Sequence, residues 1–160
     1  MHDIIFDTFN FLVEKFYFKF CKIKTGVDFI ICYKFYKDDY VFYLKYDCRE
    51  VYFDFRIFLT TWGEIFDNSY VIIDKEKFYG VQLNTILKNI NSSLEIKTFF
   101  TFQNGKYICT YGENTGDYIQ KYSFSLINYC DFLLKNDISD FNKFIDLEHR
   151  EIFLASKNLD

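Results

Sequence analysis

The fold is decided by residues 27–59, whose sequence is VDFIICYKFYKDDYVFYLKYDCREVYFDFRIFL. Apolar and polar side chains alternate through most of this stretch, which is the two-residue period of β-strands. Short turn-forming segments precede or interrupt it at Gly26, Lys37–Asp39 and Asp47–Arg49. Because connections of two to four residues join antiparallel neighbours, the stretch predicts a meander of three or four antiparallel strands.

The alternation gives the predicted sheet two different faces. The first face is strongly apolar and carries Val27, Phe29, Ile31, Tyr33, Phe35, Tyr40, Phe42, Leu44, Tyr46, Val51, Phe53, Phe55, Ile57 and Leu59. The second face mixes aromatic and charged side chains, chiefly Tyr36, Tyr43, Lys45, Tyr52, Asp54 and Arg56. The first face requires a cover, because an apolar sheet surface is stable only when another layer packs on it.

Residues 3–18 are expected to supply that cover. Ile5, Phe9, Leu12 and Phe16 recur at intervals of four and three, the spacing of one face of an α-helix. Asp3 is suited to cap the start of this helix. The chain therefore predicts a single α+β domain over residues 1–160, with its sheet in the first half and a frayed tail after about residue 155.

The second half is predicted to be mainly helical. The sequence pattern indicates a short edge strand over 69–73. A helix is then predicted from an Asp74 cap to about Ile90. Its inward residues are Phe78, Leu83, Ile86, Leu87 and Ile90. Two more helices follow, over 117–135 with Tyr118, Tyr122, Leu126, Tyr129, Cys130 and Leu133 on one face, and from a Ser139 cap with Phe141, Phe144, Ile145, Glu148 and Ile152.

Residues 94–111 fit two structures. Alternating side chains before Asn104-Gly105, a strong two-residue turn signal, favour a β-hairpin. A helix over 94–103 is the alternative, because polar residues also recur there at helical spacing.

Composition narrows the class of protein. The chain has a net charge of −4, 23% aromatic residues and no proline, so global disorder is not expected. Phe, Tyr, Ile, Lys and Asn make up 81 of 160 residues, a bias typical of an AT-rich genome, which reduces the weight of any single aromatic residue. We expect a cytoplasmic protein, since no uncharged apolar stretch of about 18 residues and no secretory signal occur.

The residues of common catalytic and metal sites are scarce. Two histidines occur, at His2 and His149, and the five cysteines show no CxxC spacing. Reduced structural thiols are therefore expected, with no metal and no cofactor. Carboxylates near the sheet, chiefly Asp47, Glu50 and Asp54, are the plausible acid–base groups, and a carboxylate-dependent hydrolase is one alternative function.

The second face is the stronger candidate for a functional site. Tyrosine and arginine are enriched where proteins contact each other, so Tyr36, Tyr43, Lys45, Tyr52, Asp54 and Arg56, with Trp62 in the following loop, are predicted to bind a partner protein. The other interpretation is that helices of the second half cover this face. Aromatic residues alternating with lysine also suit single-stranded nucleic acid, but the negative net charge makes that partner improbable. A spare aromatic face could also form a homodimer.

Three features together resemble small cytoplasmic bacterial immunity proteins of toxin–immunity systems. They are the predicted N-terminal helix, the stretch Tyr40–Asp54, and the stretch Phe132–Phe141 followed by a final helix. The resemblance implies a protein that binds and occludes a toxin without catalysis, and it assigns no binding residues. An accessory protein of a virus or mobile element that blocks a host factor is a further alternative, because such AT-rich genomes share this composition.

Overall fold

A computed structural model describes residues 3–47, 52–62, 70–73, 75–97, 99–110, 115–135, 137 and 139–157. The fold is α+β. Its strands are β1 (Lys19–Ile23), β2 (Ile30–Lys37), β3 (Tyr40–Asp47), β4 (Tyr52–Leu59), β5 (Val71–Ile73), β6 (Glu76–Phe78), β7 (Val81–Gln82), β8 (Phe99–Gln103) and β9 (Lys106–Thr110). Its helices are α1 (Ile4–Phe9), α2 (Phe11–Glu14), α3 (Leu83–Ile90), α4 (Thr115–Tyr129), α5 (Asp131–Leu134) and α6 (Phe141–Lys157).

The main sheet confirms the predicted meander and adds one strand. Its order is β1-β2-β3-β4-β7, and all neighbours are antiparallel. Asp38 and Asp39 connect β2 to β3, with Asp38 in the left-handed region at φ 48°. Strands β5 and β6 form a separate hairpin, and so do β8 and β9.

Helices cover the first face of the sheet as expected. The ring of Phe9 stacks against Phe53 and Phe55, with centroids 5.9 and 5.7 Å apart. Tyr122 of α4 meets Phe53 edge to face at 5.0 Å. This aromatic layer is the centre of the hydrophobic core, because Phe9, Phe53 and Phe55 are almost completely buried.

The N-terminal helix is shorter than the predicted 3–18. It consists of two pieces separated at Asn10, and it ends at Glu14. Tyr17 adopts φ 62°, which turns the chain so that Phe18 can pack on Phe42 before β1 begins. Helical spacing alone could not locate this turn, because Phe16 and Phe18 are apolar on either side of it.

The helix predicted from Asp74 to Ile90 is wrong over its first half. Asp74 lies outside the described residues, and residues 76–78 pair with β5 while Val81 and Gln82 pair with β4. Gly80 has φ 79°, which no helix accommodates. Strand pairing with distant segments overrides local helical spacing here. The remainder is confirmed, since α3 buries Leu83, Ile86 and Leu87, although its last residue, Ile90, is exposed.

The hairpin interpretation of residues 94–111 is confirmed. Strands β8 and β9 pair with Gln103 opposite Lys106, and Asn104 and Gly105 both have positive φ. The helical alternative for residues 94–103 is wrong, because residues 99–103 form β8 and the described residues before it contain a 3₁₀ turn over Ser92–Leu94.

The predicted helix 117–135 is divided at Cys130 into α4 and α5. Its predicted face is buried except for Tyr129, the last residue of α4, which is 40% exposed. In α6, Phe141, Phe144 and Glu148 are buried as predicted, but Ile152 is exposed. Ser139 does not cap α6 as expected, since its hydroxyl donates to Asp137 and the helix begins at Phe141.

Among the described residues, no helix is long and apolar enough to cross a lipid bilayer.

Candidate partner-binding surface

Strand register arranges the second face of the sheet in rows across the strands. One row runs Ile23, Cys32, Lys45, Asp54 along β1 to β4. The next row runs Cys21, Lys34, Tyr43, Arg56, Gln82 from β1 to β7. A third row runs Lys19, Tyr36, Val41, Phe58. The structure therefore places Tyr36, Tyr43, Lys45, Asp54 and Arg56 on one face, as the alternation predicts.

The centre of this face is buried, so the predicted residues are not equally accessible. Tyr43 is only 4% exposed and Cys32 only 1%. The Tyr43 hydroxyl donates to Cys32 Sγ at 3.5 Å, and the Tyr43 ring meets Phe58 edge to face. Burial raises the pKa of both Tyr43 and Cys32, so both stay protonated near neutral pH. Tyr43 is therefore a buried packing residue of the sheet, in contact with Cys32 and Phe58.

Among the described residues, the most exposed side chains of the second face lie on β1 and β2. We define the basic strip as Lys19, Cys21, Lys34 and Tyr36. Lys19 and Cys21 are exposed, Lys34 is half-buried, and Tyr36 is 37% exposed. Lys34 Nζ lies 5.3 Å from the centroid of the Tyr36 ring, within the range of a cation–π contact. This contact places the charge of Lys34 beside Tyr36, a residue type that is enriched at protein interfaces.

The opposite part of the second face contains a polar cluster around Arg56. Arg56 Nε donates to Asp54 Oδ2 at 2.7 Å, and Arg56 Nη1 lies 3.8 Å from Oε1 of Glu148 in α6. Thr85 of α3 donates its hydroxyl to the other oxygen of Glu148. Burial alone would lower the pKa of Arg56, but Asp54 and Glu148 outweigh it and raise that pKa. Arg56 therefore joins β4 to α6, and through Glu148 to α3.

Tyr52, Lys45 and Trp62 complete the predicted set. Lys45 and Tyr52 are half-buried, and Lys45 stands between Cys32 and Asp54 in its row. Trp62 ends a 3₁₀ turn, Thr60–Trp62, directly after β4. Their binding role stays a prediction. The predicted set thus divides into an exposed end at Tyr36, a buried centre at Tyr43, and a charge-paired end at Asp54 and Arg56.

Sequence reasoning assigned neither Thr85 nor Glu148 to a site, although Glu148 stood in the predicted stripe of the last helix. An acidic residue within the apolar stripe of the last helix signals a buried carboxylate that needs a partner. Thr85 carries no such signal, because a threonine on the inward side of a helix is unremarkable in sequence.

The carboxylates considered for hydrolysis are in different surroundings. Asp47 is buried, Asp54 is paired with Arg56, and Glu50 lies outside the described residues. A cavity of about 60 Å³ lies beside Asp54. It is lined by Tyr52, Phe53, Asp54, Phe55, Gln82, Asn84 and Tyr122. Among the described residues, no group of three or more His, Cys, Asp or Glu side chains could hold a metal ion. A catalytic role for Asp47, Glu50 or Asp54 stays a prediction.

A larger groove, of about 540 Å³, lies where β1 connects to β2. Asp3, at the start of α1, forms one wall, and its Oδ2 accepts hydrogen bonds from the Tyr33 hydroxyl at 2.5 Å and from Lys22 Nζ at 3.1 Å. The groove lies at the turn between β1 and β2, beside Lys22 and Ile23, and none of the residues that line it belongs to the basic strip.

No protein-family model matches the chain, no curated protein matches its sequence, and no solved structure matches its fold. Any binding role for this surface must therefore be argued from the chain's own residues.

Proposed function

We propose that this chain is a non-catalytic protein that binds a partner protein through the basic strip. Its most specific form, which the sequence resemblance implies, is an immunity protein that binds and neutralises a partner toxin. The single observation that supports binding is the exposure of Tyr36 together with its Lys34 contact on an otherwise closely packed sheet.

The physical argument concerns preorganisation. Association costs conformational entropy when interface side chains must be ordered, and a rigid strand reduces that cost. Tyr36 stands on β2, which pairs with β1 and β3, and Cys32 of the same strand accepts a hydrogen bond from the Tyr43 hydroxyl. Tyrosine offers a large apolar area with a hydroxyl that can still form a hydrogen bond, which is why it is common at interfaces. The strip therefore presents a ready contact surface.

Charge favours a partner whose contact surface is acidic. Residues 15–45 contain seven lysines and three acidic residues, although the whole chain has a net charge of −4. Net charge alone suits a basic partner, but steering depends on the charge near the contact. The lysines around β1 and β2 thus support a complementary acidic surface on the partner.

The protein would act in the cytoplasm. Cys21 is exposed and has a free thiol. Such thiols persist in reducing compartments, whereas oxidising ones convert exposed thiols to disulfides.

Capture of the partner tests the binding function. Tagged protein would be isolated from its native cells as wild type, as a Lys34→Ala/Tyr36→Ala variant, and as a matched control, Lys143→Ala/Tyr129→Ala. The control removes an exposed lysine and an exposed tyrosine from the helices. We expect one stoichiometric partner with the wild type and the control, and its loss with the strip variant. Equal capture by all three proteins, or no stoichiometric partner, would contradict the proposal.

A growth assay tests the immunity form separately. The captured partner would be expressed alone, and together with this chain, in a bacterial host that encodes neither protein. Growth arrest by the partner alone, relieved by the wild type but not by the strip variant, is the expected result. A harmless partner would refute the toxin-neutralising role while leaving partner binding in place.

A further inference from the structure

Strand β1 is an edge of the main sheet. Within the described residues, β1 pairs only with β2. Four of its five residues are exposed, and Phe20 is 43% exposed. An edge strand presents a row of N–H and C=O groups to which another extended segment can add. The exposure of Lys19–Lys22 shows that the described residues leave this edge accessible.

We infer that β1 receives an extended acidic segment of the partner protein as an additional antiparallel strand. This inference rests on the proposed function and specifies how the partner is recognised. Main-chain hydrogen bonds would supply a docking register, and side chains on both faces of β1 would select the sequence.

The lysines of β1 specify the charge of the incoming segment. Lys19 belongs to the second face, Lys22 to the first, and Lys24 follows the strand. Among them, Lys22 is paired with Asp3, whereas the strand itself carries no acidic residue. Opposite charges across neighbouring strands stabilise pairing and like charges oppose it. Acidic residues on both faces of the incoming segment would therefore be favoured.

A second copy of the chain is a poor occupant of the same edge. Antiparallel pairing of two β1 strands would bring Lys19, Lys22 and Lys24 of both copies together along a ribbon about 17 Å long. Phe20 would gain apolar contact, but it would have to do so within a cluster of like charges. Charge complementarity thus selects an acidic partner segment over a homodimer.

The edge is continuous with the basic strip. Lys19 and Cys21 lie on β1, and Tyr36 is directly opposite Lys19 on β2. Because neighbouring strands lie about 4.8 Å apart, an added strand would run about 10 Å from β2. A partner docked at the edge could therefore place a loop over Tyr36, so that one partner covers both features.

A peptide of defined sequence tests the inference without knowledge of the partner. The probe is a labelled, end-blocked peptide of about ten residues in which pairs of glutamates alternate with pairs of valines, so that both faces of the extended peptide carry glutamate. Its matched control replaces glutamate with lysine. We expect the acidic peptide to bind, as measured by fluorescence anisotropy, and the basic peptide not to bind. In the complex, hydrogen exchange measured by NMR should slow at alternate amides of residues 19–23, since only every second amide points outward.

Variants of the edge complete the test. Lys19→Glu/Lys24→Glu should weaken acidic-peptide binding at least about tenfold. Lys97→Glu/Lys143→Glu, which changes charge equally at exposed sites elsewhere, should leave binding unchanged. The inference is overturned by binding without protection in β1, by equal binding of both peptides, or by no binding. Tighter binding of a short oligothymidylate, or concentration-dependent dimers with protection in β1, would also overturn it.

The outcomes separate this inference from the proposed function. Suppose that the native partner is lost from the Lys34→Ala/Tyr36→Ala strip variant but retained by Lys19→Glu/Lys24→Glu. The partner-binding function then stands and edge docking is wrong. If the acidic peptide docks on β1 while no native partner depends on Tyr36, edge docking stands and the proposed function is wrong.

Discussion

Glu148 in the last helix lies with its Oε1 3.8 Å from Nη1 of Arg56 in the fourth strand. The other carboxylate oxygen accepts the hydroxyl of Thr85. Both Glu148 and Thr85 are buried, so neither can exchange its partner freely for water. A buried charge that loses its partner destabilises the folded state. The ion pair between Glu148 and Arg56 therefore makes the packing of α6 sensitive to a single substitution.

Glu148→Ala should lower the free energy of unfolding by about 2–4 kcal/mol, because Arg56 keeps Asp54 but loses its second acid, and Thr85 loses its acceptor. Glu148→Gln should cost less, about 1–2 kcal/mol, since an amide oxygen can still accept from Thr85. Urea unfolding measures both. Asp146→Ala, at an exposed position of the same helix, is the control. A Glu148→Ala protein as stable as this control would refute a structural role for the pair.

Gly80 occupies a position that no other residue fits. It has φ 79°, and a Cβ there would lie 2.9 Å from both the Ile57 carbonyl oxygen and the Phe58 ring. Gly80→Ala should therefore destabilise the fold by about 3 kcal/mol or more, combining left-handed strain with a backbone clash. Gly26→Ala has the same sign of φ but open space around it, so it should cost only about 1–2 kcal/mol. Thermal unfolding measures the stability of both variants. Equal losses of stability in Gly80→Ala and Gly26→Ala would contradict the clash.

The main sheet was predictable because neighbouring residues in the sequence determine its strands and turns. Alternation specifies the two faces, and the connection at Asp38 and Asp39 is too short for anything but an antiparallel neighbour. The hairpin at Asn104 and Gly105 was predictable for the same reason. Strands β6 and β7 were missed because they are two or three residues long and exist only through pairing with β5 and β4. No local period distinguishes such strands from the start of a helix.

The sequence predicted which side chains share a face of the sheet, but it did not predict which of them are exposed. Alternation places Tyr36 and Tyr43 on the same side of the sheet, and it cannot tell that one is exposed and the other buried. That difference depends on which distant segment covers each strand. Phe58 illustrates this, because the chain at Gly80 closes over its ring. Tertiary packing therefore separates an exposed Tyr36 from a buried Tyr43 on the same predicted face.

Most phenylalanines in this chain should act as ordinary core residues. Phe9 is buried among the rings of Phe53 and Phe55. Phe9→Ala should therefore cost about 3–5 kcal/mol, the range for removing a buried aromatic side chain. Phe124 on α4 is 58% exposed, and Phe124→Ala should stay within about 0.5 kcal/mol of the wild type. Chemical denaturation checks both, and a large loss for Phe124→Ala would show that this ring has a structural contact.

Cys21 should react with a thiol reagent well before the buried cysteines. It is exposed on β1, whereas Cys32 and Cys130 are buried. Burial also raises the pKa of Cys32, and it raises the pKa of Cys130 to about 12, which suppresses the reactive thiolate. Iodoacetamide labelling of the native protein, followed by peptide mass spectrometry, measures the three rates. Rates that are equal before denaturation would contradict the burial of Cys32 and Cys130.

Asp3 should make part of the stability depend on pH. It caps α1 by accepting the Phe6 amide, and it also accepts from Tyr33 and Lys22. Partial burial raises the pKa of Asp3, but these three hydrogen bonds outweigh it and hold the pKa below its ordinary value of 3.8. A carboxyl whose pKa is lower in the folded state stabilises the fold above its unfolded-state pKa. That contribution is lost as the pH falls through the folded-state value.

Asp3→Asn isolates this contribution, because asparagine caps helices as well as aspartate does but carries no charge for Lys22. Near neutral pH, the variant should be less stable than the wild type by about 1 kcal/mol. The difference should shrink as the pH falls below about 4, where the wild-type carboxyl takes up its proton. Unfolding curves of both proteins across this range provide the measurement. A difference that stays constant with pH would mean that the Asp3 charge does not stabilise the folded state, leaving only the neutral cap to act there.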